Sequence, residues 1–219
     1  MKGKSGGMRL LAEGLSARRG EDLIFRDVSF SIGSGEVLVV KGPNGSGKST
    51  LLRVVAGLLA LEDGSVRIDS PEAVERPCEA CHYLGHRNAM KRELTVEENL
   101  AFWQRFLGDR PDGTGLSIAE ATDAVGLGGI AHLPFGYLSA GQQRRMAMAK
   151  LLIAWRPVWL LDEPTAALDA AAEAMFAGLV RAHLGKGGLV LAATHQPLGL
   201  EGVTELRMPG FAGATESVW

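Results

Sequence analysis

Eight consecutive residues, Gly42-Pro43-Asn44-Gly45-Ser46-Gly47-Lys48-Ser49, fit the pattern G-x-x-x-x-G-K-[ST], and Thr50 completes the loop. Such a loop cradles a nucleoside triphosphate for a physical reason. Glycines let successive N–H groups curl around phosphate oxygens. The helix that follows adds positive potential at its N-terminus. Lys48 can neutralise the β- and γ-phosphates, and the Ser49 hydroxyl can reach Mg²⁺. The pattern needs an apolar strand before it and a helix after it. Val37–Val40 is such a strand, and Leu51, Leu52, Val54, Val55, Leu58 and Leu59 carry helical spacing. A chance glycine-rich turn would need neither flank.

A second constellation ends another apolar run, Val158-Trp159-Leu160-Leu161-Asp162-Glu163. Two carboxylates at a strand end can be a helix cap or a surface pair. Beside a full phosphate loop they suggest hydrolysis. Asp162 is then expected to join Ser49 in holding Mg²⁺, through water, and Glu163 to deprotonate the attacking water. The substrate and ion expected on these residues are ATP and Mg²⁺.

Leu138-Ser139-Ala140-Gly141-Gln142 lies next, with Gln142 20 residues ahead of Asp162. Ser139 and Gln142 have the spacing of a capping box, and a capped helix start with small residues is a ready phosphate site. A capping box alone would explain the segment. Its combination with the two motifs above resembles the ATP-binding cassette (ABC) family, whose signature is Leu-Ser-Gly-Gly-Gln. Ala140 departs from that signature. Ala166-Ala167-Leu168-Asp169 resembles the loop after the family's acidic pair, and Thr194-His195 resembles its switch histidine. The resemblance spans about residues 10–200 and implies a P-loop α/β fold, with an N-terminal antiparallel β subdomain and an inserted helical subdomain. It also implies a dimer of nucleotide-binding subunits. Ser139, Gly141 and Gln142 of one subunit, with Asp169 nearby, would close on ATP held by the other, and His195 would contact the γ-phosphate. Closure would drive a membrane partner.

Departures from the common pattern narrow the resemblance. The strand Tyr83-Leu84-Gly85 ends in His86, where the family usually has glutamine. A neutral imidazole can accept a hydrogen bond from water, and it can also take up a proton in the physiological range. Where many members stack an aromatic ring on adenine, this chain has Arg19. A guanidinium plane can stack on a base, and a solvated surface arginine is the equal alternative. Gln196-Pro197-Leu198 follows His195, where most members have an acidic residue. Gly85-His86, Leu138-Ser139-Ala140-Gly141-Gln142-Gln143-Arg144-Arg145 and Thr194-His195-Gln196-Pro197-Leu198 together look like the ATP-binding subunits of the cytochrome c maturation transporter, often called haem exporters. That resemblance implies a CcmB-type integral membrane partner, further cytochrome c maturation proteins, and a peripheral place on the cytoplasmic face of the bacterial inner membrane. The alternatives are an ABC ATPase exporting another substrate, such as a lipid or lipoprotein, and a soluble ABC ATPase outside transport.

Cys78-Glu79-Ala80-Cys81-His82 has the C-x-x-C-H spacing of c-type haem attachment. Attachment belongs to an oxidising compartment, and one pair is too few for structural zinc. Two reduced thiols are expected, ahead of a redox or metal pair, with no covalent haem. Phe102, Trp103 and Phe106 share one helix. They either pack within the helical subdomain or line a groove for a helix of the membrane partner.

The rest of the sequence supplies elements to hold these residues. Residues 21–40 read as strands, and Pro157–Leu161 and Leu189–Ala193 as buried ones. Residues 70–82 read as loop. Thr95-Val96-Glu97-Glu98 is a capping box opening a helix. Residues 117–126, 139–155 and 170–184 read as helices. Alternating strands and helices imply an α/β core, with helices inserted at about 88–155. One domain over 8–219 follows, with 1–7 disordered. The formal net charge of −2 and the absence of any basic block argue against nucleic acid. No apolar run approaches the ~20 residues of a membrane helix.

Overall fold

The computed structural model describes residues 7–71, 73–111 and 113–210. Six of the seven residues expected to be disordered therefore lie outside the described part. The described residues form eight strands: β1 (Arg9–Arg19), β2 (Asp22–Gly33), β3 (Val37–Lys41), β4 (Asp63–Asp69), β5 (Cys81–Leu84), β6 (Val158–Asp162), β7 (Leu189–Ala193) and β8 (Thr204–Arg207). The α-helices are α1 (Lys48–Val55), α2 (Val96–Leu107), α3 (Ile118–Ala124), α4 (Ala140–Leu152) and α5 (Ala170–Gly185).

The strands form two sheets. An antiparallel one has the order β2-β1-β4, and a parallel one has the order β5-β6-β7-β3-β8. The apolar runs of β3, β6 and β7 follow from burial on both faces. Val39, Leu161 and Val190 point into a core shared with α2–α5, whereas Val40, Leu160 and Leu191 point into a second core with α1 and the antiparallel sheet. Alternate residues thus serve opposite cores, and none can be polar. Leu191 is fully buried at the centre of this arrangement. Leu191→Ala should cost ~2–5 kcal/mol of stability, measurable by denaturant titration. A loss under half a kilocalorie would contradict such packing.

Helices α2, α3 and α4 lie between β5 and β6, and each opens with a capping box. At the first, the Glu98 amide donates to Thr95 Oγ1 at 3.1 Å and the Thr95 amide donates to Glu98 Oε2 at 2.8 Å. The aromatic residues of α2 differ in their exposure. Trp103 packs inward: its Nε1 donates to the Ala89 carbonyl at 3.0 Å, and Lys150 Nζ lies 4.6 Å from its ring centroid. Phe102 and Phe106 stack on each other and are 53% and 70% exposed.

Sequence patterning did not reveal β1, β4 or β8. Strand β1 loses its alternation at register shifts around Gly14, whose φ is 61°. Strand β4 buries only Ile68, and β8 buries no residue. The stretch read as loop over 70–82 ends in a 3₁₀ turn at Pro77–Ala80, and β5 starts at Cys81.

Candidate active site

Strand β3 runs directly into the phosphate loop, and α1 begins at Lys48. Two glycines there are required by space. Gly47 has φ 92°, and a Cβ on it would lie 2.8 Å from Ile24 Cγ2. A Cβ on Gly42 would run into the Met208 carbonyl oxygen. Lys48 is nearly buried, and its Nζ donates to the Gly42 and Pro43 carbonyls at 2.8 and 2.9 Å. Both acceptors are neutral, so phosphate oxygens would hold the ammonium more strongly. The Ser46 hydroxyl is buried and has no hydrogen-bond partner among the described residues, and Ser46 lines a separate cavity beside Phe25 and Met208.

Strand β6 delivers Asp162, which is 1% exposed. Its Oδ1 accepts from Ser49 Oγ at 2.8 Å, and its Oδ2 accepts from Tyr83 Oη at 3.2 Å. Arg53 Nε donates to Tyr83 Oη at 3.3 Å. Burial is the largest cause raising the Tyr83 phenol pKa, opposed by the Arg53 hydrogen bond. Tyr83 therefore remains a donor to the carboxylate. A hydroxyl and one carboxylate, in contact at the foot of a cleft, suit Mg²⁺, which keeps several waters and takes phosphate oxygens as further ligands. Among the described residues no group of three or more His, Cys, Asp or Glu side chains could hold a metal.

Glu163 follows at once and adopts φ 45°. A left-handed conformation costs a non-glycine residue ~1–3 kcal/mol. Its amide donates to the Ala193 carbonyl at 2.8 Å, which ties it to the end of β7. His195 Nε2 lies 3.9 Å from Glu163 Oε1, and His86 Nε2 lies 3.7 Å from Asp162 Oδ1. Neither distance is a hydrogen bond, but all four groups face one cleft of about 400 Å³. Arg19, Asn44, Gly45, Gly47, Lys48, Ser49 and Thr50 line it too. Arg19 thus shares the cleft with the phosphate loop.

Ser139, Gly141, Gln142 and Asp169 do not line that cleft. Ser139 and Gln142 close the capping box of α4, the Ser139 amide donating to Gln142 Oε1 at 2.8 Å. Asp169 caps α5 by accepting from the Ala172 amide at 2.8 Å. A Cβ on Gly141 would lie 3.6 Å from the Ala167 carbonyl oxygen, so the signature segment abuts the loop leading to Asp169.

The contacts of several residues of this region escaped the sequence reading. Tyr83 and Arg53 support Asp162 as described. Thr165 Oγ1 donates to Gln196 Oε1 at 3.0 Å, which links the loop after Glu163 to the loop after His195. Arg144, on α4, is 6% exposed, and burial lowers its pKa against the opposing charges of Asp162 and Glu163. It stays ionised, as guanidinium groups do. A signal for Arg144 existed: Arg144-Arg145 leads into the apolar run that starts at Met146.

The Cys78–His82 segment is built differently from a ligand site. Cys78 is exposed and Cys81 is buried. Cys81 Sγ donates to the Pro77 carbonyl at 3.0 Å, and burial pushes its thiol pKa well up. His82 Nε2 is engaged with the Ala154 carbonyl at 2.8 Å, and burial lowers its pKa to about 3.

Phosphate loop, acidic strand end and helix-borne signature together define an ABC-type ATP-binding domain. The ABC transporter family model matches residues 25–166. Solved structures share the fold. One is a putative ABC transporter (ATP-binding protein) from Pyrococcus furiosus, with a TM-score of 0.74 at 21% identity, covering 91% of this chain and 97% of that one. Among curated proteins, the cytochrome c biogenesis ATP-binding export protein CcmA of Rhizobium meliloti is 71% identical over 205 residues, 93% of this chain and 99% of its own length. The CcmA protein of Brucella abortus is 56% identical over 89% of each chain. The chain belongs to the ABC transporter family, in the group formed by the CcmA proteins. No helix among the described residues is long and apolar enough to cross a membrane.

Proposed function

We propose that the chain is the ATP-hydrolysing subunit of an ABC transporter complex for cytochrome c biogenesis. It works with a CcmB-type integral membrane subunit, as a dimer of nucleotide-binding subunits at the cytoplasmic face of the bacterial inner membrane. The observation that carries the reading is a divided site. Lys48, Ser49, Asp162, Glu163, His86 and His195 surround one cleft, and the signature residues lie outside it. Half a site on each copy means that two copies complete two sites.

In this reading Lys48 exchanges its two carbonyl partners for the β- and γ-phosphates of ATP. Ser49 and Asp162 would hold Mg²⁺, which when bound neutralises phosphate charge. Tyr83 keeps the Asp162 carboxylate aimed. Arg19 lies where it can stack on the adenine. Glu163 accepts a proton from the attacking water as the oxygen–γ-phosphorus bond forms and the bond to the leaving ADP oxygen breaks. His195 steadies the γ-phosphate. Ser139, Gly141 and Gln142 of the opposite copy, with Asp169 beside them, complete the enclosure, and closure moves the membrane subunit. The identity to CcmA proteins supports the cytochrome c assignment over lipid or lipoprotein export.

The test is a strain lacking the gene. It should lose holocytochromes c by haem staining, and wild-type protein but not Lys48→Ala should restore them. Normal c-type cytochromes in the deletion strain would refute the assignment. His86→Gln should hydrolyse ATP within roughly threefold of wild type, because glutamine keeps a hydrogen-bond donor and acceptor there. A larger loss, measured as phosphate release, would give the imidazole a role that glutamine cannot fill.

A further inference from the structure

The guanidinium of Arg144 is buried among main-chain oxygens. Its Nη1 donates to the Gly85 carbonyl at 2.7 Å and its Nε to that of Pro164 at 3.0 Å. Its Nη2 donates to the carbonyls of Asp162 at 3.1 Å and Glu163 at 2.7 Å. Three consecutive carbonyls, 162 to 164, therefore converge on one side chain. Convergence of that kind needs a sharply turned chain, and Glu163 supplies the turn with its left-handed φ of 45°. The fourth carbonyl immediately precedes His86. Burying a full charge is costly, and an apolar side chain would fill the space more cheaply. A planar five-donor fork is the one side chain that can reach all four acceptors at once.

Arg144 also stands two residues beyond Gln142 on the same helix, which places it ~3 Å further along the axis than the end of the signature. Gln143 Nε2 donates to the Leu138 carbonyl at 3.1 Å, so the start of the helix is braced. Helix, base and the strand end before His86 therefore meet at one guanidinium.

We propose that Arg144 is a positioning residue for hydrolysis: it holds the left-handed main chain of Glu163, and the Gly85–His86 strand end, to the helix that carries the signature. The inference rests on the reading of Glu163 as the base. Displacement of the signature helix reaches the main chain of the base through this side chain, and the base keeps its aim only while the clamp is intact.

The test compares Arg144→Lys, Glu163→Gln and the double variant as full-length protein. An ammonium has three donors and no plane, so it cannot hold all four carbonyls. Arg144→Lys should lower kcat by ~10–100-fold, the cost of a small misplacement, and leave ATP affinity within about twofold. Its amide hydrogen exchange should quicken over 162–168 and stay unchanged in α1. In the Glu163→Gln background the lysine substitution should cause no further loss of kcat. Wild-type kcat for Arg144→Lys would overturn the proposal. So would an equal loss with and without Glu163, since that places the effect elsewhere. If Arg144→Lys does not fold, Arg144→Gln, which buries no charge, takes its place with the same expectations. Full activity of Glu163→Gln alone would instead remove the base assignment and leave the clamp to be judged by the exchange data.

Discussion

Glu163→Gln is expected to reduce ATP turnover by roughly 100- to 10,000-fold, the range a positioned general base contributes, while ATP binding persists. Glutamine matches the shape of glutamate and cannot take up the proton. The main chain at 163 is held by the Ala193 carbonyl and by Arg144, both through backbone atoms, so the exchange leaves the turn intact. Lys48 and the phosphate loop are untouched. Phosphate release at saturating MgATP measures the loss, and a fluorescent ATP analogue measures retained affinity. Turnover at the wild-type rate would mean that another group accepts the proton.

Acid should unfold the protein through two buried histidines that do not line the cleft. His183 stacks on Trp159 with ring centroids 4.0 Å apart, and His82 pairs in register with Trp159 on the neighbouring strand. Burial is the main cause that lowers His82 to about 3 and His183 to about 4. Lys150 and Arg156 add to the depression at His82. The unfolded chain holds these rings near the ordinary value of ~6.5. Below that pH it therefore binds protons that the folded chain refuses. Stability is complete above pH 6.5 and is lost as pH falls toward 4 and then 3. Each ring contributes about 1.4 kcal/mol per pH unit, so both together remove roughly 5 kcal/mol between pH 8 and pH 4.5. Typical domain stability is only ~5–15 kcal/mol. His183→Phe keeps the stacked ring and should nearly halve the slope between pH 6.5 and 4.5 in urea titrations. A slope equal to wild type would show that His183 does not carry the effect.

Legibility varied with how strongly each feature constrains its own neighbours. The phosphate loop, the acidic strand end and the Thr95–Glu98 box are local. Their residue types and spacing serve groups within a few positions, so the sequence displays them. Strands β3, β6 and β7 were visible because burial on both faces forces an unbroken apolar run. Strand β8 was not, since an edge strand with no buried residue has a composition like that of a loop. The contacts of Tyr83 and Arg144 were missed for another reason. Their partners lie far away in sequence: Tyr83 meets Asp162, and Arg144 meets Gly85. No periodicity records a side chain whose only purpose is to reach across the fold.

By itself the sequence determined that a triphosphate is bound and that two carboxylates end a neighbouring apolar strand, and the signature segment pointed to the ABC family. Those properties reside in short runs whose backbone chemistry is local. Only the tertiary structure decided which groups share the cleft, that Glu163 is held in a strained turn, and that one buried guanidinium joins it to the signature helix. Parallel strands bring residues 49, 86, 162, 163 and 195 to one edge of a sheet, and that convergence is a property of strand order. Strand order is set by how the two cores pack, and packing is the long-range part of the free energy that no local pattern contains.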